Sequence, residues 1–142
     1  MNGKEFELAA YSGKLELNSS QSLTGSEWEE VGIIFFNSLS SRCQDNGCLI
    51  GHIKGFLDLG ESGYFYLSTV SSDQETTSRG EAKESTSSCN LSFNVLVYGI
   101  TKAGLSEIIN HAIAHLLSYF SLTCNVEKAY HEHKHFVALS KI

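Results

Sequence analysis

The chain has 142 residues, enough for one domain that buries a single hydrophobic core. It is 42% hydrophobic and 18% charged, which excludes a disordered chain. With 10 basic residues against 16 acidic ones, the formal net charge is −6, so no nucleic-acid partner is expected, because phosphate binding needs a positive surface.

Neither a membrane span nor a signal peptide is visible in the sequence. The longest apolar stretch, residues 105–120, is interrupted by polar side chains and does not supply the ~20 apolar residues that a bilayer requires. Residues 1–10 carry several charges and lead into no apolar segment. The 4 cysteines are expected to be reduced, since nothing else suggests export. We therefore predict a cytoplasmic protein with no membrane partner.

The first part of the chain predicts extended structure followed by a helix. Apolar and polar residues alternate over 4–18, which predicts a short hairpin that turns at Ser12-Gly13. Residues 24–27 have the spacing of a capping box, a hydroxyl followed three residues later by a glutamate, and predict a helix that runs to about Arg42. The run 31–36 is apolar on all sides and would alternatively suit a strand, but the capping box favours the helix.

The middle of the chain predicts a second hairpin and a long loop. Alternation over 48–59, turn residues at 60–63 and an aromatic, β-branched run at 64–70 indicate two antiparallel strands. Residues 71–88 contain one apolar side chain and predict a polar loop, either a mobile connector or a lid over a ligand. A strongly alternating strand is predicted over 89–100.

The last part of the chain completes the fold prediction. Thr101 can cap a helix whose apolar positions recur at helical spacing from Leu105 to Phe120, and extended structure resumes over 123–139. We therefore predict one α+β domain over residues 1–142, a two-layer sandwich with two amphipathic helices on one face of a mostly antiparallel sheet. A ferredoxin-like plait with extra strands is the nearest topology, and it implies no particular activity.

Histidines form the first candidate site. Two lie one helical turn apart on the second helix, and three alternate along the final extended segment, so each group shares one side of its element. If the helix packs over that segment, the imidazoles converge and can bind Zn or Ni. The candidate metal ligands are His111, His115, His131, His133 and His135. Alternatively, these side chains border the apolar stripe of the helix or lie exposed on an edge strand.

One face of the second hairpin forms the other candidate site. His52 and Lys54 alternate away from the Ile53 face, and Tyr64 and Tyr66 do the same on the next strand. These four residues predict a polar, aromatic ligand-binding surface. The alternative is a solvated sheet face with ordinary aromatic cross-strand pairs.

The cysteines and the familiar catalytic motifs contribute less. Cys43 and Cys48 match no zinc-knuckle spacing and are expected to be small buried residues that close the end of a helix. The chain contains no P-loop, no G-x-G-x-x-G and no G-x-S-x-G. No catalytic residue is therefore assigned; a small cofactor-independent enzyme with His115 or His52 as general acid–base is the least favoured hypothesis.

Together these observations predict a non-catalytic ligand-binding or assembly module, with a small molecule as its possible ligand. A homo-oligomer, in the simplest case a homodimer, is expected because an open antiparallel sheet offers edge strands for pairing with a second copy. The alternative is a histidine-rich domain that binds Zn or Ni in a structural or catalytic role. Whether the chain is an enzyme stays open at this level.

Overall fold

A computed structural model describes residues 7–71 and 75–128 of the chain. The order of the elements follows the prediction with two differences: one strand replaces the predicted first hairpin, and an additional strand lies within the predicted loop. The elements are β1 (Leu8–Leu23), α1 (Gly25–Asp45), β2 (Leu49–Asp58), a 3-10 turn (Gly60–Ser62), β3 (Gly63–Thr69), β4 (Thr77–Ala82), β5 (Thr86–Tyr98), α2 (Lys102–Phe120) and β6 (Thr123–Lys128).

The strands form one six-stranded sheet in the order β4-β3-β2-β5-β1-β6, and every neighbouring pair is antiparallel. Helix α1 joins β1 to β2 across the intervening β5, and α2 joins β5 to β6 across β1. These two crossovers define a ferredoxin-like plait, to which the hairpin of β3 and β4 adds two strands at one side. The predicted two-layer α+β fold is thus confirmed.

Both helices pack on the same face of the sheet, α1 over β2, β3 and β4, and α2 over β1 and beside α1. The predicted stripe of α1, including Trp28 and Phe35, is fully buried there. The indole Nε1–H of Trp28 donates a 2.8 Å hydrogen bond to the Thr86 carbonyl, so the largest core side chain also satisfies its polar atom. The core therefore lies between the helices and one face of the sheet.

The start of α1 agrees closely with the sequence prediction. Thr24 Oγ1 accepts a hydrogen bond from the Glu27 amide at 3.1 Å, and the Glu27 carboxylate accepts one from the Thr24 amide at 2.8 Å. This reciprocal pair is the capping box, and it satisfies two backbone donors that the first turn leaves open.

The predicted hairpin turn at Ser12-Gly13 is wrong, because β1 is one continuous strand of 16 residues. It pairs with β5 through this region, with Gly13 opposite Phe93. A Cβ at Gly13 would lie 2.8 Å from the Tyr11 ring and 2.9 Å from the Phe93 ring, which stack with their centroids 5.7 Å apart. The glycine makes room for two core rings rather than for a turn.

The predicted loop over 71–88 is also wrong for much of its length, because β4 occupies Thr77–Ala82 and β5 begins at Thr86. Residues 72–74 lie outside the described residues. An edge strand with small inward side chains needs no apolar alternation, so the composition of this segment concealed it. Thr76, the residue before β4, holds the start of this strand in place. Its hydroxyl lies 2.8 Å from that of Thr69 and donates a 2.6 Å hydrogen bond to Asn37 Oδ1 of α1.

Candidate functional site

The sheet face opposite the helices, called the open face below, carries the candidate ligand site. Successive residues of a strand point to opposite faces, so the residues beside the buried ones share the open face. The cross-strand register aligns one row over five neighbouring strands, from β4 to β1. This row consists of Arg79, Tyr66, Phe56, Ser92 and Lys14.

Three aromatic side chains form a cluster on this face, called the aromatic cluster below: Phe56 of β2 with Tyr64 and Tyr66 of β3. Their ring centroids lie 5.0–6.0 Å apart. The tyrosines are nevertheless 42% and 52% exposed. Ring-to-ring contact therefore leaves a substantial part of each tyrosine accessible to a partner.

Apolar exposure concentrates on this face. The large hydrophobic side chains exposed among the described residues are Leu8, Leu49, Tyr64, Tyr66, Val70, Tyr98 and Tyr119. The strand register places Leu8, Leu49 and Tyr98 in one further row of the open face, at the opposite end from the aromatic cluster. Exposed apolar side chains thus occur toward both ends of the open face, with the polar row of Ser12, Asn94 and Lys54 between them.

Two shallow depressions lie side by side on the open face and share Lys54. The first has a volume of about 420 Å³ between β2, β3 and β4, and its outward-facing side chains are Lys54, Tyr66, Ser68, Thr77 and Arg79. The second has a volume of about 350 Å³ between β1, β5 and β2, and its lining includes Ser12, Lys14, Lys54, Phe56, Ser92 and Asn94. The first is called the Lys54–Arg79 depression below.

The cations of the open face differ in their surroundings. Lys54 and Arg79 are exposed, and neither pairs with a carboxylate whose side chain the structure describes. Lys14 is also exposed and lies opposite Glu127 of β6 in the strand register. Three acidic residues of the face, Glu81, Asp58 and Glu16, are aligned by the register in the neighbouring row. The lining of the Lys54–Arg79 depression, as far as it is described, contains two cations and no carboxylate.

The four residues predicted to bind a ligand share the open face, but the structure brings only three of them together. Lys54, Tyr64 and Tyr66 lie in or beside the Lys54–Arg79 depression. His52 pairs instead with Leu96 of β5, lies beyond the paired region of β2 and β3, and lines neither depression.

Two residues of this site were not predicted as ligand-binding residues. Phe56 lies on the same strand face as Lys54, so the two-residue period already indicated its position. Arg79 lies in β4, within the segment predicted to be a loop, and no sequence pattern placed it beside Tyr66.

The predicted metal ligands are placed only in part. His111 and His115 are exposed on α2, and His115 lines a groove of about 350 Å³ with Arg42 and Asp45 of α1. His131, His133 and His135 lie outside the described residues, so the predicted convergence of imidazoles stays a prediction. Within residues 7–71 and 75–128, no three His, Cys, Asp or Glu side chains are placed to hold a metal ion together.

Three of the four cysteines are buried, and the expected burial of Cys43 and Cys48 is confirmed. Cys43 and Cys48 are buried free thiols at the end of α1, where the Cys48 amide donates to the Cys43 carbonyl at 2.9 Å. Burial, with a further contribution from Cys48, raises the pKa of Cys43 to about 12. Burial also raises the pKa of Cys89 to about 12, with Asp58 adding to the effect. These thiols stay protonated near neutral pH and are poor nucleophiles.

Comparison with known proteins adds little to this description. Neither described helix has the length and apolar character needed to cross a bilayer. No protein-family model matches the chain, and no curated protein sequence does. Among solved structures, the Zn(II)-bound YjiA GTPase from E. coli is similar over 77% of this chain and 29% of its own, at 17% identity and a TM-score of 0.42. The chain thus spans less than a third of that protein, and a likeness at this level carries no argument about function.

Proposed function

We propose that the chain is a non-catalytic ligand-binding module that works through the open face of its sheet. One observation carries this proposal: the exposed aromatic cluster adjoins a depression with two cations, Lys54 and Arg79, that have no carboxylate partner among the described residues. A ligand that covers the rings gains roughly 25 cal/mol of free energy per Å² of apolar surface removed from water. The cations position a polar or charged group of the ligand.

A purely structural role explains this face less well. Cross-strand aromatic pairs stabilise a sheet by roughly 0.2–1 kcal/mol each, which accounts for ring contact but not for tyrosines that stay about half exposed. The sheet already has a core on its other side, so the fold does not depend on these rings. Exposed apolar area beside cations without partners is typical of a binding surface.

The composition of the Lys54–Arg79 depression supports binding rather than catalysis. Its described lining offers hydroxyls, a phenol ring and two cations, but no histidine and no carboxylate. Histidine and the carboxylates are the side chains that most often act as general acid or base. The buried thiols lie on the other side of the sheet and do not reach it.

Amide chemical-shift mapping tests the proposal. The ¹⁵N-labelled protein is screened against a panel of small aromatic, anionic and neutral polar compounds. We expect binders to shift the amides of residues 54–56, 64–68 and 77–79, and Tyr66→Ala to reduce those shifts. A panel without a single binder, or binders that shift only α1 and α2, would overturn the proposal.

A second candidate function is assembly through the same face, as a homodimer. On β1, Lys14 is followed by Glu16 two residues later, and on β4, Arg79 is followed by Glu81. Consider two copies that face each other across a two-fold axis, which runs perpendicular to the strands between the row of Lys14 and Arg79 and the row of Glu16 and Glu81. This arrangement would set each cation opposite an acid of the second copy and bring Tyr64 over the Tyr66 of that copy. Such self-complementarity is what an isologous interface needs.

Light scattering coupled to size exclusion distinguishes the two candidates. If the module assembles, the mass of two chains is expected, and Glu16→Lys shifts the protein toward the monomer by placing like charges opposite each other. The swapped variant Lys14→Glu/Glu16→Lys restores the pattern and the dimer. A monomer across the accessible concentration range eliminates this candidate and leaves the face free for a ligand.

The proposed location is the cytoplasm. The chain's four cysteines are free thiols, including Cys43 and Cys48, which lie close enough to hydrogen-bond. Free neighbouring thiols suit a reducing compartment.

A further inference from the structure

We infer that the Lys54–Arg79 depression binds a small anion that carries an aromatic ring, with the ring against Tyr66 and the anionic group between Lys54 and Arg79. The inference rests on the proposed function and specifies its ligand. Four properties of the depression support it: the separation of the two cations, the charge of the lining, the exposed ring of Tyr66 and the size of the space.

The strand register sets the separation of the cations. Lys54 of β2 pairs with Ser68 of β3, which in turn pairs with Thr77 of β4. Arg79 lies two residues after Thr77 on the same strand face. Neighbouring strands are about 4.8 Å apart, so the backbones of β2 and β4 are separated by roughly 10 Å. The long side chains of lysine and arginine can bridge that gap from both sides and meet at one oxyanion above β3.

The charge of the lining favours an anion. Lys54 and Arg79 have no carboxylate partner in the described chain, although the net charge of the whole molecule is −6. An oxyanion would therefore gain charge-assisted hydrogen bonds without first displacing an ion pair. The Ser68 and Thr77 side chains line the same space and supply hydroxyl groups.

The aromatic ring follows from the neighbouring surface. Tyr66 lines the depression and is 52% exposed, while Phe56 and Tyr64 support it with ring centroids at 5.0 and 5.5 Å. A ring supported on one side and open on the other favours a flat partner, and offset or edge contacts between rings add about 0.5–1.5 kcal/mol beyond simple burial.

The size of the site limits the ligand to a small molecule. A space of about 420 Å³ is at the lower end of the range for small-molecule sites. A nucleic-acid strand would extend beyond it over the row of Asp58, Glu81 and Glu16, where repeated phosphates meet carboxylates. A single anionic group avoids that row.

The experiment compares phenyl phosphate with its two halves, inorganic phosphate and phenol, by amide-shift titration of the full chain. We expect saturable shifts around Lys54, Tyr66 and Arg79, with phenyl phosphate binding about tenfold more tightly than either half. Lys54→Gln and Arg79→Gln should each weaken binding by about fivefold or more, and Tyr66→Phe should preserve it better than Tyr66→Leu. Lys14 is a cation of the same face outside the depression, so Lys14→Gln is the matched control and should change the affinity for phenyl phosphate little.

Each other outcome contradicts a defined part of the inference. If phenol binds as tightly as phenyl phosphate, the claim that the anionic group contributes to binding is wrong. If inorganic phosphate binds as tightly as phenyl phosphate, the claim that the ring contributes is wrong. In both cases the open face would still bind a ligand, so the proposed function would survive. Shifts confined to the helices, or no saturable shift with phenyl phosphate, would overturn the inference as a whole, and the wider panel then decides whether the proposed function falls with it.

Discussion

The two faces of this sheet consist of the same strands but differ in their surroundings. On β2, Leu57 is fully buried under the helices, while Phe56, one residue earlier, belongs to the open face. On β5, Phe93 is a core residue, whereas its neighbour Ser92 is exposed. Because side chains alternate along a strand, a step of one residue separates a position that holds the fold from one that is available to a partner.

If the open face binds a ligand as proposed, stability and binding depend on different side chains of the same strands. On the helix side, Phe35 is fully buried and contacts the rings of Phe36 and Phe93. The rings of the aromatic cluster contact each other, and both of its tyrosines stay about half exposed. Substitutions on the two faces should therefore affect different measurements.

The largest expected effect is on the free energy of unfolding when an aromatic residue of the core, rather than one of the open face, is replaced. Phe35→Ala removes a fully buried ring and should lower the free energy of unfolding by about 3–5 kcal/mol through lost burial and a residual cavity. Its matched control, Tyr66→Ala, removes a half-exposed ring and should lower it by less than about 1 kcal/mol. Urea denaturation followed by circular dichroism measures both. Equal losses would mean that the open face is part of the structural core.

A smaller loss of stability is expected where a glycine leaves space for a core ring. A Cβ at Gly55 would lie 2.6 Å from the Phe36 ring and 2.9 Å from the Ser92 carbonyl oxygen of the neighbouring strand. Gly55→Ala should therefore destabilise the protein by about 1–3 kcal/mol, since neither the buried ring nor the backbone can move freely. Lys14→Ala, on the open face, is the control and should have little effect. An unchanged urea midpoint for Gly55→Ala would show that α1 does not approach the sheet this closely.

The smallest effect at neutral pH concerns the thiols of the helix side. The pKa of Cys89 is raised from 9.0 to about 12, so the folded state holds its proton more tightly than the unfolded state does. The resulting stabilisation is fully present below pH 9 and is lost as the pH rises from about 9 toward 12. The stability difference between the wild type and Cys89→Ala should therefore narrow between pH 8 and pH 10.5 in urea titrations. A difference that stays constant over this range would contradict the burial of the thiol.

Local patterns were sufficient for much of the fold. The capping box at Thr24 and Glu27 marked the start of α1, and the apolar stripe from Leu105 onward marked α2, because caps and helical periodicity involve residues within a few positions of each other. The two errors, at Gly13 and over 77–82, arose where a neighbouring element decides the conformation. A glycine that admits two rings resembles a turn residue, and an edge strand of small residues resembles a loop.

The candidate site divides in the same way. Alternation placed Lys54, Tyr64 and Tyr66 on one face from the sequence alone, since period two is a property of each strand. It could not place Arg79 beside Tyr66, because that neighbour comes from a strand whose sequence has no apolar pattern. It also grouped His52 with the site, although the end of the β2–β3 pairing separates them.

The amino-acid sequence by itself determined the two-layer α+β class, the starts of both helices and the sides of β2 and β5 that face the core. Only the tertiary structure decided the lateral order of the strands, and with it which side chains of the open face are neighbours. The physical reason is that caps and periodicity act through short segments of backbone. Strand order instead depends on how two helices cross one sheet and on which edge receives the added hairpin, so the meeting of Lys54, Tyr66 and Arg79 is a property of the whole fold.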